Sequence, residues 1–115
     1  PYADLPQYLK GFSACLIPYA INDYTRGCFP IKFNEFLASG KPVVVTNLPE
    51  LARYSDIVAV ADSPESFIAA LEEALAHDSP ARQQARLAEA QRNTWEAKVS
   101  RQWELVLQRL GETRP

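Results

Sequence analysis

The chain has 115 residues, 47% of them hydrophobic and 23% charged, with a formal net charge of −2, which is typical of one soluble globular domain and excludes a fibre or a disordered tail. Its basic residues are scattered, which argues against nucleic-acid binding, and no segment approaches the roughly 20 apolar residues that span a bilayer. Because the N-terminus lacks a signal-peptide pattern, we expect a protein of the cytoplasm or of the inner face of the membrane.

The first segment predicts a short helix followed by a buried strand. Asp4 suits the N-cap of this helix and Gly11 its C-terminal stop, and the residues that face inward are Leu5, Tyr8 and Leu9. The apolar run 13–18 then predicts the strand.

A loop and a second helix follow. The segment 20–28 carries turn residues without an apolar period, which predicts a loop at the carboxyl end of the strand, where open α/β sheets bind ligands. Pro30 suits the first turn of the helix and Gly40 its end. We expect the loop and this first turn to line one cleft.

Lys32, Glu35 and Ser39 share a polar face of that helix. From the spacing alone, Lys32 and Glu35 are most simply a solvated ion pair worth a few tenths of a kcal/mol. The two cysteines, Cys15 and Cys28, predict free thiols, since two in a chain of this size do not make a disulfide framework.

Two further apolar segments, "PVVVT" and "DIVAVA", predict strands of the parallel type. Ser63-Pro64 begins the next helix, and Ser79-Pro80 begins another that is poor in large apolar residues and is predicted to lie on the surface. The last helix carries an apolar row with a period of 3.6 residues, which we interpret as a packing surface. This row comprises Trp95, Val99, Trp103, Val106 and Leu110.

The alternation of helices and strands predicts an α/β fold with a Rossmann-like parallel sheet flanked by helices. Three strands are evident, whereas a doubly wound nucleotide-binding sheet has about six. We therefore expect residues 1–115 to form a single, partial domain.

The stretch "FPIKFNEFLASGKPVVVTNLPE" resembles the donor-binding domain of GT-B-type glycosyltransferases, in particular the large retaining group 1, or family 4-like, enzymes. The flanking segments "YADLPQYLKGFSACLIPY", "DSPESFIAALEEAL" and "TWEAKVSRQWELVL" agree with it. The resemblance covers nearly the whole chain but only the second half of such a C-terminal domain. It implies that an N-terminal acceptor domain is missing.

The resemblance also implies site residues. Glu35 matches the glutamate that binds the ribose hydroxyls of a nucleotide sugar, and Lys32 would lie near the pyrophosphate. The turn before the helix would face the sugar and phosphates with its backbone N–H groups; it comprises Gly27, Cys28, Phe29, Pro30 and Ile31. Many relatives carry a second glutamate where this chain has Gly27, so the sugar-facing carboxylate is missing, and Asp23 is the acid that could substitute.

The function implied is hexosyl transfer from a UDP- or GDP-type sugar in polysaccharide biosynthesis, with no metal or cofactor, because Lys32 and a helix N-terminus can neutralise the diphosphate. We expect the isolated chain to be inactive and to self-associate through its open sheet edge or its last helix. One alternative is a non-catalytic flavodoxin-like or receiver-like module, but Asp62 is the sole acid at the predicted strand ends. Another is an assembly domain that works through the last helix.

Overall fold

A computed structural model describes residues 1–112, and the last three residues of the predicted domain, 113–115, lie outside this range. A short 3-10 turn, Tyr2–Asp4, precedes the first helix. The strands are β1 (Cys15–Ile17), β2 (Val43–Thr46) and β3 (Ala59–Ala61). The helices are α1 (Leu5–Lys10), α2 (Asp23–Arg26), α3 (Lys32–Ala38), α4 (Pro49–Ala52), α5 (Pro64–His77), α6 (Pro80–Arg92) and α7 (Trp95–Glu112).

The three strands form one parallel sheet in the order β1-β2-β3. Ile17 lies opposite Val45, and Val45 in turn lies opposite Val60. The sheet confirms the predicted Rossmann-like α/β fold. Because parallel strands need crossover connections, the helices between them cover the sheet and leave its carboxyl edge open to loops.

Different helices cover the two faces of the sheet. Ile17 and Val45 belong to the main core, together with Leu9 from α1 and Phe33 and Leu37 from α3. The opposite face packs against α5, which contacts β2 and β3. Helices α1 and α3 therefore lie on the same face of the sheet, and this arrangement sets up the candidate site.

Three local predictions near the N-terminus were wrong. Tyr8 is 68% exposed rather than inward-facing, whereas Leu9 is buried in the core and Leu5 packs against it, as predicted. The predicted loop contains α2, whose N-terminus is closed by reciprocal bonds between Asn22 and Thr25, each 2.9 Å long. Helix α3 begins at Lys32 rather than at Pro30.

The last two helices lie at the periphery of the fold. Helix α6 packs against α3 but has a single buried residue, Arg86, as expected for a surface helix. Helix α7 has no buried residue and makes its main contact with α6. Trp95 and Trp103 are 75% and 61% exposed, so the apolar row does not pack onto the sheet of this chain.

Candidate functional site

Glu35 lies in the middle of α3 and is partly buried. Its Oε1 accepts a hydrogen bond of 2.6 Å from the hydroxyl of Tyr2, which reaches it from the turn before α1. This bond, together with the negative charge of the carboxylate, raises the pKa of Tyr2 above its usual 10.0. The carboxylate is therefore placed to accept bonds from hydroxyl groups.

A cavity of about 650 Å³ lies between α1 and α3, and Glu35 forms part of its wall. Such a volume is in the range of small-molecule sites. The lining is mainly apolar, and Lys10, Lys41 and Gln83 are among its polar residues. The remaining lining residues are Tyr2, Ala3, Leu5, Pro6, Leu9, Ala38 and Ser39.

Lys32 is exposed at the start of α3, and its Nζ lies 5.2 Å from the centre of the Tyr19 ring, a cation–π arrangement. Within residues 1–112 no ion pair joins Lys32 to Glu35. The ion pair predicted from their spacing is therefore wrong, because the ammonium turns towards Tyr19 and the carboxylate towards Tyr2.

The turn before α3 is anchored in the core by two of its side chains. The ring of Phe29 meets Phe33 edge-on at 5.6 Å and packs against Tyr54, and Pro30 is buried. Neither side chain lines the cavity of Glu35. By contrast, Gly27 is exposed and the side chain of Ile31 is 71% exposed.

Backbone hydrogen bonds connect this turn to α2 and to the first turn of α3. The N–H of Cys28 donates to the carbonyl of Thr25, and the N–H of Phe33 donates to Pro30. The N–H of Asn34 likewise donates to Ile31. Lys32 is the cationic group that the start of α3 offers.

Residues 1–77 match the sequence profile of the family described as Glycosyl transferases group 1. The chain belongs to this family. The matched region runs from the 3-10 turn to the end of α5 and contains every candidate donor-binding residue. The predicted resemblance to group 1 glycosyltransferases is therefore confirmed.

A relative of this group 1 chain is "Putative teichuronic acid biosynthesis glycosyltransferase TuaH" of Bacillus subtilis (strain 168). The two sequences are 40% identical over 76 residues, which is 63% of this chain and 19% of the relative. The chain thus spans about a fifth of the length of the curated relative that it matches. No solved structure matches the chain.

A second cavity, of about 560 Å³, lies at the carboxyl edge of the sheet on the α5 side. Tyr19, Thr46 and Phe67 line it, whereas none of the candidate donor residues does. The prediction that the loop and the start of α3 line one cleft is therefore wrong, because Glu35 faces the groove between α1 and α3.

The carboxyl edge carries no acidic cluster of the receiver type in the part of the chain that the structure describes. Asp62 accepts a bond of 2.6 Å from the side-chain amide of Asn47. Nowhere in residues 1–112 do three His, Cys, Asp or Glu side chains form a group that could hold a metal ion. No helix in this range is long and apolar enough to cross a membrane.

Sequence reasoning missed Tyr2, Lys41 and Gln83 as neighbours of Glu35. Tyr2 lies 33 positions from Glu35, so no local spacing could link them. Gln83 belongs to α6, which has few large apolar residues to predict its packing on α3. A signal was present in Leu9, Phe33 and Leu37, whose apolar stripes require α1 and α3 to share one core.

Proposed function

We propose that this chain is part of the donor-binding domain of a glycosyltransferase that takes a hexose from a UDP- or GDP-type nucleotide sugar. The observation that carries the proposal is the position of Glu35 in a cavity, where its carboxylate already accepts a hydrogen bond from a hydroxyl group. Membership of the group 1 family supports glycosyl transfer as the reaction class.

In this proposal Glu35 binds the ribose. The hydroxyl of Tyr2 donates a short hydrogen bond to Oε1 of Glu35, as a ribose hydroxyl would. An ionised carboxylate has two oxygens and accepts bonds from two vicinal hydroxyls, and such charge-assisted bonds are the stronger kind. When the nucleotide sugar binds, hydrogen bonds from its ribose hydroxyls therefore replace the hydrogen bond from Tyr2.

Lys32 is the proposed partner of the diphosphate. It is exposed and lies one helical turn before Glu35, outside the lining of the cavity, with its ammonium turned towards Tyr19. Its contact with Tyr19 holds the ammonium without neutralising it. A lysine in this position stabilises the negative charge of the departing diphosphate without a metal ion.

The chain by itself is proposed to bind nucleotide weakly and not to catalyse transfer. Its sheet has three strands, whereas a doubly wound nucleotide-binding sheet has about six. Glycosyl transfer needs a cleft from which water is excluded. An N-terminal acceptor domain would close that cleft.

Isothermal titration of the 115-residue chain with UDP, GDP and uridine tests the proposal. We expect UDP or GDP to bind more tightly than the nucleoside, and Lys32→Ala to remove most of this difference because the diphosphate loses its cation. Lys98→Ala on α7 is the matched control and leaves the difference unchanged. Equal affinity for UDP and uridine in the wild-type chain would refute the diphosphate site.

A further inference from the structure

Arg86 is a buried charged residue in α6, with 1% of its surface exposed. Its guanidinium contacts three separate segments of the chain. Nη2 donates to the carbonyl of Gly40 at 2.9 Å and to Oδ2 of Asp78 at 2.6 Å, and Nε donates to Gly40 at 3.3 Å. Nη1 donates to the carbonyl of Ile57 at 3.4 Å.

The carbonyl that receives two of these bonds lies just past the end of α3. The last carbonyls of a helix lack partners within it, and a cation is favourable there. Gly40 has a φ of 71° and closes the helix, with its N–H bonded to Leu37. The N–H of Ser39 bonds to the carbonyl of Glu35, so this final turn is hydrogen-bonded directly to the residue that we assign to the ribose.

The same turn also places Lys41. Its backbone N–H donates to Oγ of Ser39 at 3.2 Å, and its side chain lines the cavity that Glu35 lines. Glu35 and Lys41, two residues that line this cavity, therefore lie at the two ends of one short segment, 35–41. A shift of Gly40 would move both groups relative to the cavity wall.

Stability alone does not account for this arrangement. Removing the guanidinium of Arg86 from water is costly, and its charged partner Asp78 is exposed, so the ion pair offsets that cost only in part. The guanidinium also directs two donors at the carbonyl of Gly40. The two hydrogen bonds from Arg86 to the carbonyl of Gly40 therefore suit a side chain that fixes the position of the end of α3.

We propose that Arg86 is a positioning residue of the donor site, which fixes the end of α3 and so holds Glu35 and Lys41 in the cavity. The proposal rests on the proposed function. It assigns a role to a residue that lies outside residues 1–77, the part of the chain that matches the family.

The test compares the wild-type chain with Arg86→Lys, which keeps the charge but loses the forked donor. Arg82→Lys, one turn earlier in α6, is the matched control. The readouts are the Kd for UDP from titration, the folded fraction from circular dichroism, and the hydrogen exchange of the amides of 35–41 without nucleotide. We expect Arg86→Lys to raise the Kd about tenfold, which corresponds to about 1.4 kcal/mol of binding free energy, and to speed exchange in 35–41 while the chain stays folded.

If Arg86→Lys does not fold, the double variant Arg86→Met/Asp78→Asn replaces it, because it leaves no unpaired buried charge. It should show the same rise in Kd. An unchanged Kd in a folded variant, with wild-type binding intact, would overturn the positioning role and leave the proposed function standing. Failure of the wild-type chain to bind UDP would overturn both the positioning role and the proposed function. Unchanged hydrogen exchange in residues 35–41 of the variant would show that Arg86 does not fix the position of that segment.

Discussion

The hydroxyl of Tyr2 donates a hydrogen bond of 2.6 Å to Oε1 of Glu35 and so links the turn before α1 to the middle of α3. This bond shows that the carboxylate is accessible to a hydroxyl donor from the side of the cavity. It also ties the N-terminal turn to the helix that carries the proposed donor site. A nucleotide that binds Glu35 must compete with the hydroxyl of Tyr2 for the carboxylate.

The first prediction concerns the ionisation of Tyr2. Because the bond to Glu35 favours the neutral phenol, its pKa lies above 10.0. The stability that this bond contributes is present below pH 10 and is lost as the pH rises through the raised pKa. In Glu35→Gln the pKa of Tyr2 should fall towards its usual value, which NMR of ring-labelled tyrosine measures. A pKa of Tyr2 that is the same in both proteins would show that the bond does not form in solution.

Much of the fold could be predicted because its signals are local. The apolar runs around Ile17, Val45 and Val60 gave the parallel strands, and Phe33 and Leu37 gave the buried face of α3. Glycines, prolines and cap residues mark element ends through their own backbone preferences. The short α2 was missed because its signal is a single pair, Asn22 and Thr25, within a run of turn residues.

The site was harder to predict because its contacts are not local. The spacing of Lys32 and Glu35 predicts an ion pair on any isolated helix, and only tertiary neighbours decide that each turns elsewhere. Tyr19 follows β1 and Tyr2 precedes α1, so neither is near α3 in the sequence. Arg86 belongs to a helix that was predicted to lie on the surface, and nothing in its local sequence shows that it meets the carbonyl of Gly40.

The second prediction concerns Gly40, whose φ of 71° lies in the left-handed region. Gly40→Ala should lower the free energy of unfolding by about 1–2 kcal/mol, the usual cost for an L-residue there. A Cβ would also meet Cγ of Gln83 at 3.2 Å. Urea unfolding measures the change. Gly11→Ala is the control, since φ at Gly11 is −80°, and an equal loss in both variants would contradict the account of Gly40.

The third prediction separates the two free thiols. Cys15 is 2% exposed, and burial raises the pKa of its thiol, whereas Cys28 is partly exposed. Because the thiolate is the reactive form, a disulfide reagent should modify Cys28 rapidly and Cys15 only as fast as the chain opens. The time course should show two phases, and Cys28→Ser should remove the fast one. A fast reaction in Cys28→Ser would mean that β1 is not buried as described.

The fourth prediction concerns α7, which carries both tryptophans of the chain, Trp95 and Trp103. Both are exposed, so in dilute solution their fluorescence should be that of indole in water and acrylamide should quench it readily.

We expect the chain to self-associate through α7 as the protein concentration rises, because large exposed apolar patches favour contacts between molecules. Light scattering should then show oligomers, and Trp103→Ser should reduce them. A chain that stays monomeric at high concentration would contradict this expectation.

The most direct test of the central claim compares UDP with 2′-deoxy-UDP on the wild-type chain and on Glu35→Gln by titration calorimetry. Glu72→Gln, on α5 across the sheet, is the control. If the carboxylate of Glu35 binds the ribose, the wild-type chain and the control should prefer UDP by about tenfold or more, the value of one hydrogen bond to a charged group. Glu35→Gln should lose most of that preference. An equal preference for UDP in Glu35→Gln and in the wild-type chain would contradict the assignment of Glu35 to the ribose.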